Sequence, residues 1–103
     1  MAKAIGIDHL AIYFSDLEKA KKFFLEGLGL TEHGDYGDEF FMKAGNQIIA
    51  VFQGKNKTQT INHLALKVDN FYEIKKRLEK LGYKIYKKDM VDGPDGIRIQ
   101  LIA

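Results

Sequence analysis

The chain has 103 residues, a formal charge of +2, and 46% hydrophobic against 29% charged residues; this excludes intrinsic disorder and argues for one domain over residues 1–103. Cysteine is absent, which excludes disulfide and thiol chemistry, and lysines interleaved with glutamates leave no basic patch for nucleic acid. No apolar run nears the roughly 20 residues of a membrane-spanning helix and Met1–Gly6 lacks a signal core, so the expected setting is cytoplasmic, with neither nucleic acid nor membrane as partner.

Residues 6–14 are apolar with little interruption and predict a strand buried on both faces. Asp16 is a good helix N-cap, because its short side-chain oxygen can satisfy free amides of the first turn. Leu17, Ala20, Phe23, Phe24 and Leu28 then recur at helical spacing, and Gly27-Leu-Gly29 stops the helix. A polar stretch follows, in which His33 reads as exposed. Asp35-Tyr-Gly-Asp38 is turn chemistry before a strand at Glu39–Lys43, and Ala44-Gly-Asn46 turns into a strand at Gln47–Gln53. Gly54–Thr60 is polar and joins two halves. The second half predicts a strand from Ile61, a helix capped by Asn70 and carrying Phe71, Ile74, Leu78 and Leu81, and a strand near Tyr83–Lys88. The turn Asp92-Gly-Pro-Asp-Gly96 precedes a last strand, Ile97–Ile102. The second half looks one strand short, or has that strand compressed into Asp89–Asp92.

The halves repeat. Ile7-Asp-His-Leu-Ala-Ile12 returns as Ile61-Asn-His-Leu-Ala-Leu66, and the capped segment Asp16–Leu25 returns as Asn70–Glu79 with its two lysines in register. Strand side chains alternate, so parity decides which residues meet. Leu10, Ile12 and Phe14 form one set and His9, Ala11 and Tyr13 the other; the repeat gives Leu64, Leu66 and Val68 against His63, Ala65 and Lys67. In the last strand Ile97, Ile99 and Leu101 form the aliphatic set, leaving Arg98 and Gln100. The aliphatic sets should pack under the helices, and His9, His63 and Gln100 should face away from them.

The I-x-H-L-A start of each half, the Pro94-Asp-Gly96 turn and the final Ile99-Gln-Leu101 resemble the vicinal oxygen chelate superfamily. Its members include glyoxalase I, fosfomycin-resistance enzymes, extradiol dioxygenases and bleomycin-resistance proteins. The resemblance runs from Ile7 to Ile102. It implies an α+β fold of two tandem βαβββ-type modules, about 5–54 and 60–103, the second shortened. They would form a curled mixed sheet around a central cavity, with helices on the outside and a homodimer as the usual assembly.

The resemblance also implies a divalent metal (Zn, Ni, Mn or Fe) held by His9, His63 and Gln100. Gln100 stands where such proteins usually carry glutamate, and Ala50 falls on the glutamate position of the first module. An amide keeps an oxygen donor but loses a negative charge, and no carboxylate base is evident for glyoxalase-type proton abstraction. Lys67 and Tyr13 are poor bases at neutral pH, so no catalytic residue is assigned and lactoylglutathione lyase activity is not expected. Two functions stay open. One is a metal-dependent lyase or dioxygenase acting on a small oxygenated molecule. The other is a metal-free protein of the bleomycin-resistance type, which would sequester a small-molecule ligand against Tyr13, Phe40 or Phe41, Phe52 and Tyr83.

Overall fold

The computed structural model describes residues 2–54 and 61–103. All of the expected joining segment except Gly54 lies outside the described residues. The first half folds as β1 (His9–Phe14), α1 (Leu17–Lys22), β2 (Thr31–Asp35), β3 (Glu39–Ala44) and β4 (Gln47–Gln53). The second folds as β5 (Leu64–Lys67), α2 (Phe71–Lys80), β6 (Ile85–Tyr86), β7 (Met90–Asp92) and β8 (Arg98–Ile102). Each half is therefore βαβββ. The strand that seemed missing is β7, three residues long, inside the interval where the compressed strand was expected.

The strands form two four-stranded mixed sheets of identical order, β1-β4-β3-β2 and β5-β8-β7-β6. In each, the first strand runs parallel to the last and lies at the sheet edge. Both N-caps form as read: the Asp16 and Asn70 carboxyl and amide oxygens each accept from the backbone N–H three residues on, both at 3.1 Å. Directly after α1, residues Phe23–Gly27 make a π-helical turn.

That turn lets two adjacent phenylalanines be buried in different directions. Neighbouring residues on a helix point about 100° apart, so both are covered only where core lies on two sides. Phe24 meets Phe14 of β1 edge-on, with ring centres 5.9 Å apart. Phe23 meets Tyr83 of the second half at 4.9 Å. Phe23 and Phe24 are both fully buried. The two halves consequently share one cluster, which also takes in Val51, Met42, Leu78, Val91, Ile99 and Leu101. The helices pack against each other, with Gly27 admitting the Leu78 side chain.

A second link is polar. The Asp95 carboxylate accepts from both the backbone N–H and the hydroxyl of Ser15, each at 2.6 Å. It joins the β1–α1 turn to the Pro94–Gly96 turn.

Two expectations need correction here. The first strand starts at His9, not at residue 6, and it is buried on one face only. Ile5 and Ile7 precede it, 92% and 87% exposed. The apolarity of Ile7 read as strand core, yet among the described residues no strand pairs with it.

Candidate functional site

On each sheet one face carries the shared core and the other is open. On the first sheet the inner set is Ile12, Phe14, Phe40, Met42, Ile49 and Val51, all buried. The open face follows from register: His9 pairs with Ile48, Ala11 with Ala50 and Tyr13 with Phe52, while Phe41 pairs with Ala50 and Glu39 with Phe52. His9, Tyr13, Glu39, Phe41 and Phe52 thus stand on one surface. Their rings form a row: His9 to Phe41 at 6.3 Å, Phe41 to Phe52 at 6.3 Å, Phe52 to Tyr13 at 5.7 Å. Tyr36, from the β2–β3 turn, meets Phe41 edge-on at 5.7 Å.

On the second sheet Ala65 pairs with Gln100, and Gln100 with Met90. His63 precedes β5 by one residue and shares the parity of Ala65. Two residues along and one strand across place its Cα about 8 Å from that of Gln100, a span two side chains can close. Arg98 lies on the same face. Its Nε donates to Asp92 Oδ1 at 3.2 Å, and the Tyr86 hydroxyl donates to that oxygen at 2.6 Å. These bonds hold the Tyr86 hydroxyl and the Arg98 guanidinium protonated to higher pH than usual.

Ala50 and Gln100 occupy equivalent places in the repeat. Each pairs with the residue two positions after its module's histidine. An alanine there, fully buried beside Phe41, supplies no donor.

Each candidate ligand is held by a neighbouring side chain. His9 Nδ1 lies 2.9 Å from Asp8 Oδ1, and His63 Nδ1 lies 2.8 Å from Asn62 Oδ1. A carboxylate or carbonyl oxygen accepts, so each contact suits an Nδ1–H donor, the tautomer in which a neutral imidazole directs its lone pair outward from Nε2. Metal-bound histidines commonly have this arrangement. Gln100 Nε2 donates to Asp89 Oδ2 at 3.2 Å, which leaves its amide oxygen unengaged by that bond. This donor chemistry suits a dication such as Zn²⁺ or Mn²⁺, although three neutral ligands leave its charge uncompensated.

Gln100 lies on the second sheet, with His63 one residue before its first strand, and His9 lies on the other sheet. The two open faces turn away from the shared helical core. Among the described residues no three His, Asp or Glu side chains gather at one point.

The aromatic candidates divide differently from the sequence reading. Phe41 is on the open face, whereas Phe40 is core, 2% exposed. Tyr83 also leaves the set: it packs on Phe23, and burial, aided by the negative Asp16, raises its phenol pKa. Tyr36 takes its place. It was hidden in what read as turn chemistry, and only the proximity of that turn to Phe41 reveals it. His33 is exposed as expected, but it lines one concavity with His9, Tyr36, Glu39 and Phe41. It sits where the β2–β3 register shifts between Glu32 and Gly34, an irregularity that sequence alternation does not report.

No helix among the described residues is long and apolar enough to cross a membrane. Residues 6–101 match the sequence model of the Glyoxalase/Bleomycin resistance protein/Dioxygenase superfamily. The chain is 26% identical to a glutathione transferase, FosA, of Serratia marcescens, with 93% of this chain and 79% of that protein aligned. Its fold is similar to that of a possible glyoxalase from Bacillus cereus, with a TM-score of 0.79, 23% identity, and coverage of 97% and 100% of the two chains. The fosfomycin-resistance protein FosX of Listeria monocytogenes, in a complex with Mn(II) and sulfate, is similar with a TM-score of 0.81 at 19% identity, covering 98% of this chain and 91% of that one.

Proposed function

The chain belongs to the Glyoxalase/Bleomycin resistance protein/Dioxygenase superfamily, and from that premise we propose a divalent-metal-dependent enzyme, a lyase or dioxygenase, acting on a small oxygenated molecule. His9 of one copy joins His63 and Gln100 of a second copy at the metal, in a two-fold homodimer with two equivalent sites. The observation that carries this reading is the matched pair of histidines. Each has Nδ1 held by the side chain before it, which suits the tautomer that directs its lone pair outward from Nε2. A second copy placing its second sheet against the first would bring them together and would cover the exposed Ile5 and Ile7. Mn(II) in the FosX complex supports a divalent ion in this fold.

When bound, the dication would polarise a substrate oxygen as a Lewis acid. The chain's own residues orient the substrate: Phe41, Phe52 and Tyr13 offer ring surface on one wall, and Arg98, fixed by Asp92, presents a cation on the other. The same ring surface favours a second reading, a metal-free binding protein.

The test is complementation. His9→Ala and His63→Ala homodimers should each fail to retain metal. Mixed after mild unfolding, they should yield heterodimers that hold about one ion per dimer, because one of the two sites is then intact. Elemental analysis that finds no metal in the parent, or none restored by mixing, rejects the shared metal site.

A further inference from the structure

We propose that the concavity where α1 meets the end of α2, lined by Lys19, Lys22, Lys80 and Tyr83, binds a phosphate monoester of a small molecule. This goes beyond the function proposed above. The concavity uses no candidate metal ligand and neither open sheet face, since no strand residue lines it.

The space holds about 250 Å³, with Phe23 and Leu81 completing its lining. Lys19 and Lys22 stand three residues apart on α1 and so share one face of that helix. Lys80 ends α2, so the second module adds a third cation to a space that the first has already made positive. No carboxylate lines it. Glu18 and Asp35 go to Lys21, and Glu73 goes to Arg77. Among the described residues none of the three lysines has an ion-pair partner. Like charges gathered in this way repel, and an anion between them removes the repulsion. In sequence the three alternate with Glu18, Glu26 and Glu79; only the packing of two helices collects them.

The repeat shows that the fold does not require this charge. Lys19 corresponds to Glu73 and Lys80 to Glu26, so both positions carry an acid in the other module. A cation at the end of α2 offsets the helix dipole. That accounts for Lys80 but not for Lys19 and Lys22, which precede the π-helical turn.

The ligand class follows from the chemistry. Lysine ammonium groups bind phosphate as point charges. A phosphate monoester, nearly a dianion at neutral pH, uses three cations more fully than a carboxylate or a sulfate ester does. Leu81 and Tyr83 are partly exposed and offer apolar surface to a carbon group. Burial, then the negative Asp16, keeps the Tyr83 phenol protonated to higher pH than usual, so it remains a donor at neutral pH. Asp16 itself is engaged as the cap of α1. The volume falls below that of pockets for drug-sized ligands, which suits a phosphate bearing a small carbon group.

The test titrates phenyl phosphate, phenyl sulfate and inorganic phosphate into the protein in chelator, with NMR detection of the Tyr83 ring. Chelator makes the result independent of the metal reading. Phenyl phosphate should perturb Tyr83 and bind at least ~3-fold more tightly than phenyl sulfate, its monoanionic match. It should also exceed inorganic phosphate, which has no ring to bury. Lys22→Gln and Lys80→Gln should each weaken phenyl phosphate at least ~3-fold. Lys84→Gln should leave its affinity unchanged, because Lys84 is an exposed lysine close in sequence that does not line the concavity. A Tyr83 ring that does not respond, equal affinity for phenyl phosphate and either other probe, or equal losses in Lys80→Gln and Lys84→Gln overturns the proposal.

Discussion

Gln100 is the residue at which one substitution separates the readings most sharply. Its amide donates to Asp89 across 3.2 Å. Gln100→Glu replaces that donor with a second carboxylate, so without metal the pair repels and one member must take up a proton. The variant should lose roughly 1–3 kcal/mol of stability in chelator. Excess Mn²⁺ or Zn²⁺ should recover it, with affinity at least ~10-fold above the parent's and rising with pH as the ligands shed protons. Melting curves with and without metal check this; a destabilised variant indifferent to every ion would favour metal-free binding. Tyr86 gives a separate pH signature. Its hydrogen bond to Asp92, followed by slight desolvation, raises its pKa above the ordinary 10.0. The sign is that of a group holding its proton more tightly when folded: stability from this bond is complete below pH 10 and is lost as pH rises through the higher folded value. Tyr86→Phe should remove one late-ionising component from a spectrophotometric tyrosine titration, and an unchanged titration would exclude the bond. At this scale the sequence was informative wherever period-two alternation governs, as for His9, Gln100 and the aliphatic sets. It failed for Phe40 against Phe41, which are neighbours of equal apolarity that only cross-strand pairing with Val51 and Ala50 can tell apart.

Among the elements, the π-helical turn and the glycine facing it set how closely the halves approach. A Cβ added at Gly93 would lie 2.6–2.9 Å from three atoms of the Phe23 ring. That ring is wedged between Phe24 and Tyr83 and has little room to move. Gly93→Ala should therefore cost about 1–3 kcal/mol by overpacking, measured by denaturant unfolding. The Ser15–Asp95 link is tested by Asp95→Ala, which removes an acceptor of two bonds and places alanine at φ 55. A loss of roughly 1–2 kcal/mol is expected. Asp95→Asn should cost less, because asparagine tolerates the left-handed region and keeps one acceptor. Both helices and their caps were legible, since apolar spacing and capping chemistry are local. The first half was expected to carry three strands after its helix, but the position of β2 was not legible, because Thr31–Asp35 carries no apolar alternation and owes its pairing to β3. The π-turn was equally hidden: two adjacent phenylalanines fit a helical stripe as well as a double-sided anchor.

For the molecule as a whole, β1 and β5 are both sheet edges among the described residues, and Ile5, Ile7, Ile61 and Tyr13 are exposed near them in sequence. Edges and apolar surface of this kind call for a partner. Light scattering should report a two-chain particle, with an interface of at least about 1,000 Å². Ile7→Asp should shift the population toward single chains of 11.7 kDa. The internal repeat made the two-module architecture readable in advance. The separation of His9 from His63 was not readable, because parity assigns a face within a sheet and is silent on how two sheets are mounted.

The shared cluster has a consequence for how the protein comes apart. Neither half owns a complete interior: Phe23 from the first is sealed by Tyr83 and Gly93 of the second, and Gly27 by Leu78. The two repeated modules are mutually dependent, like two shells sharing a single kernel. A chain severed between Gly54 and Ile61 should stay assembled and melt in one transition, while either fragment alone should remain unfolded until the other is added.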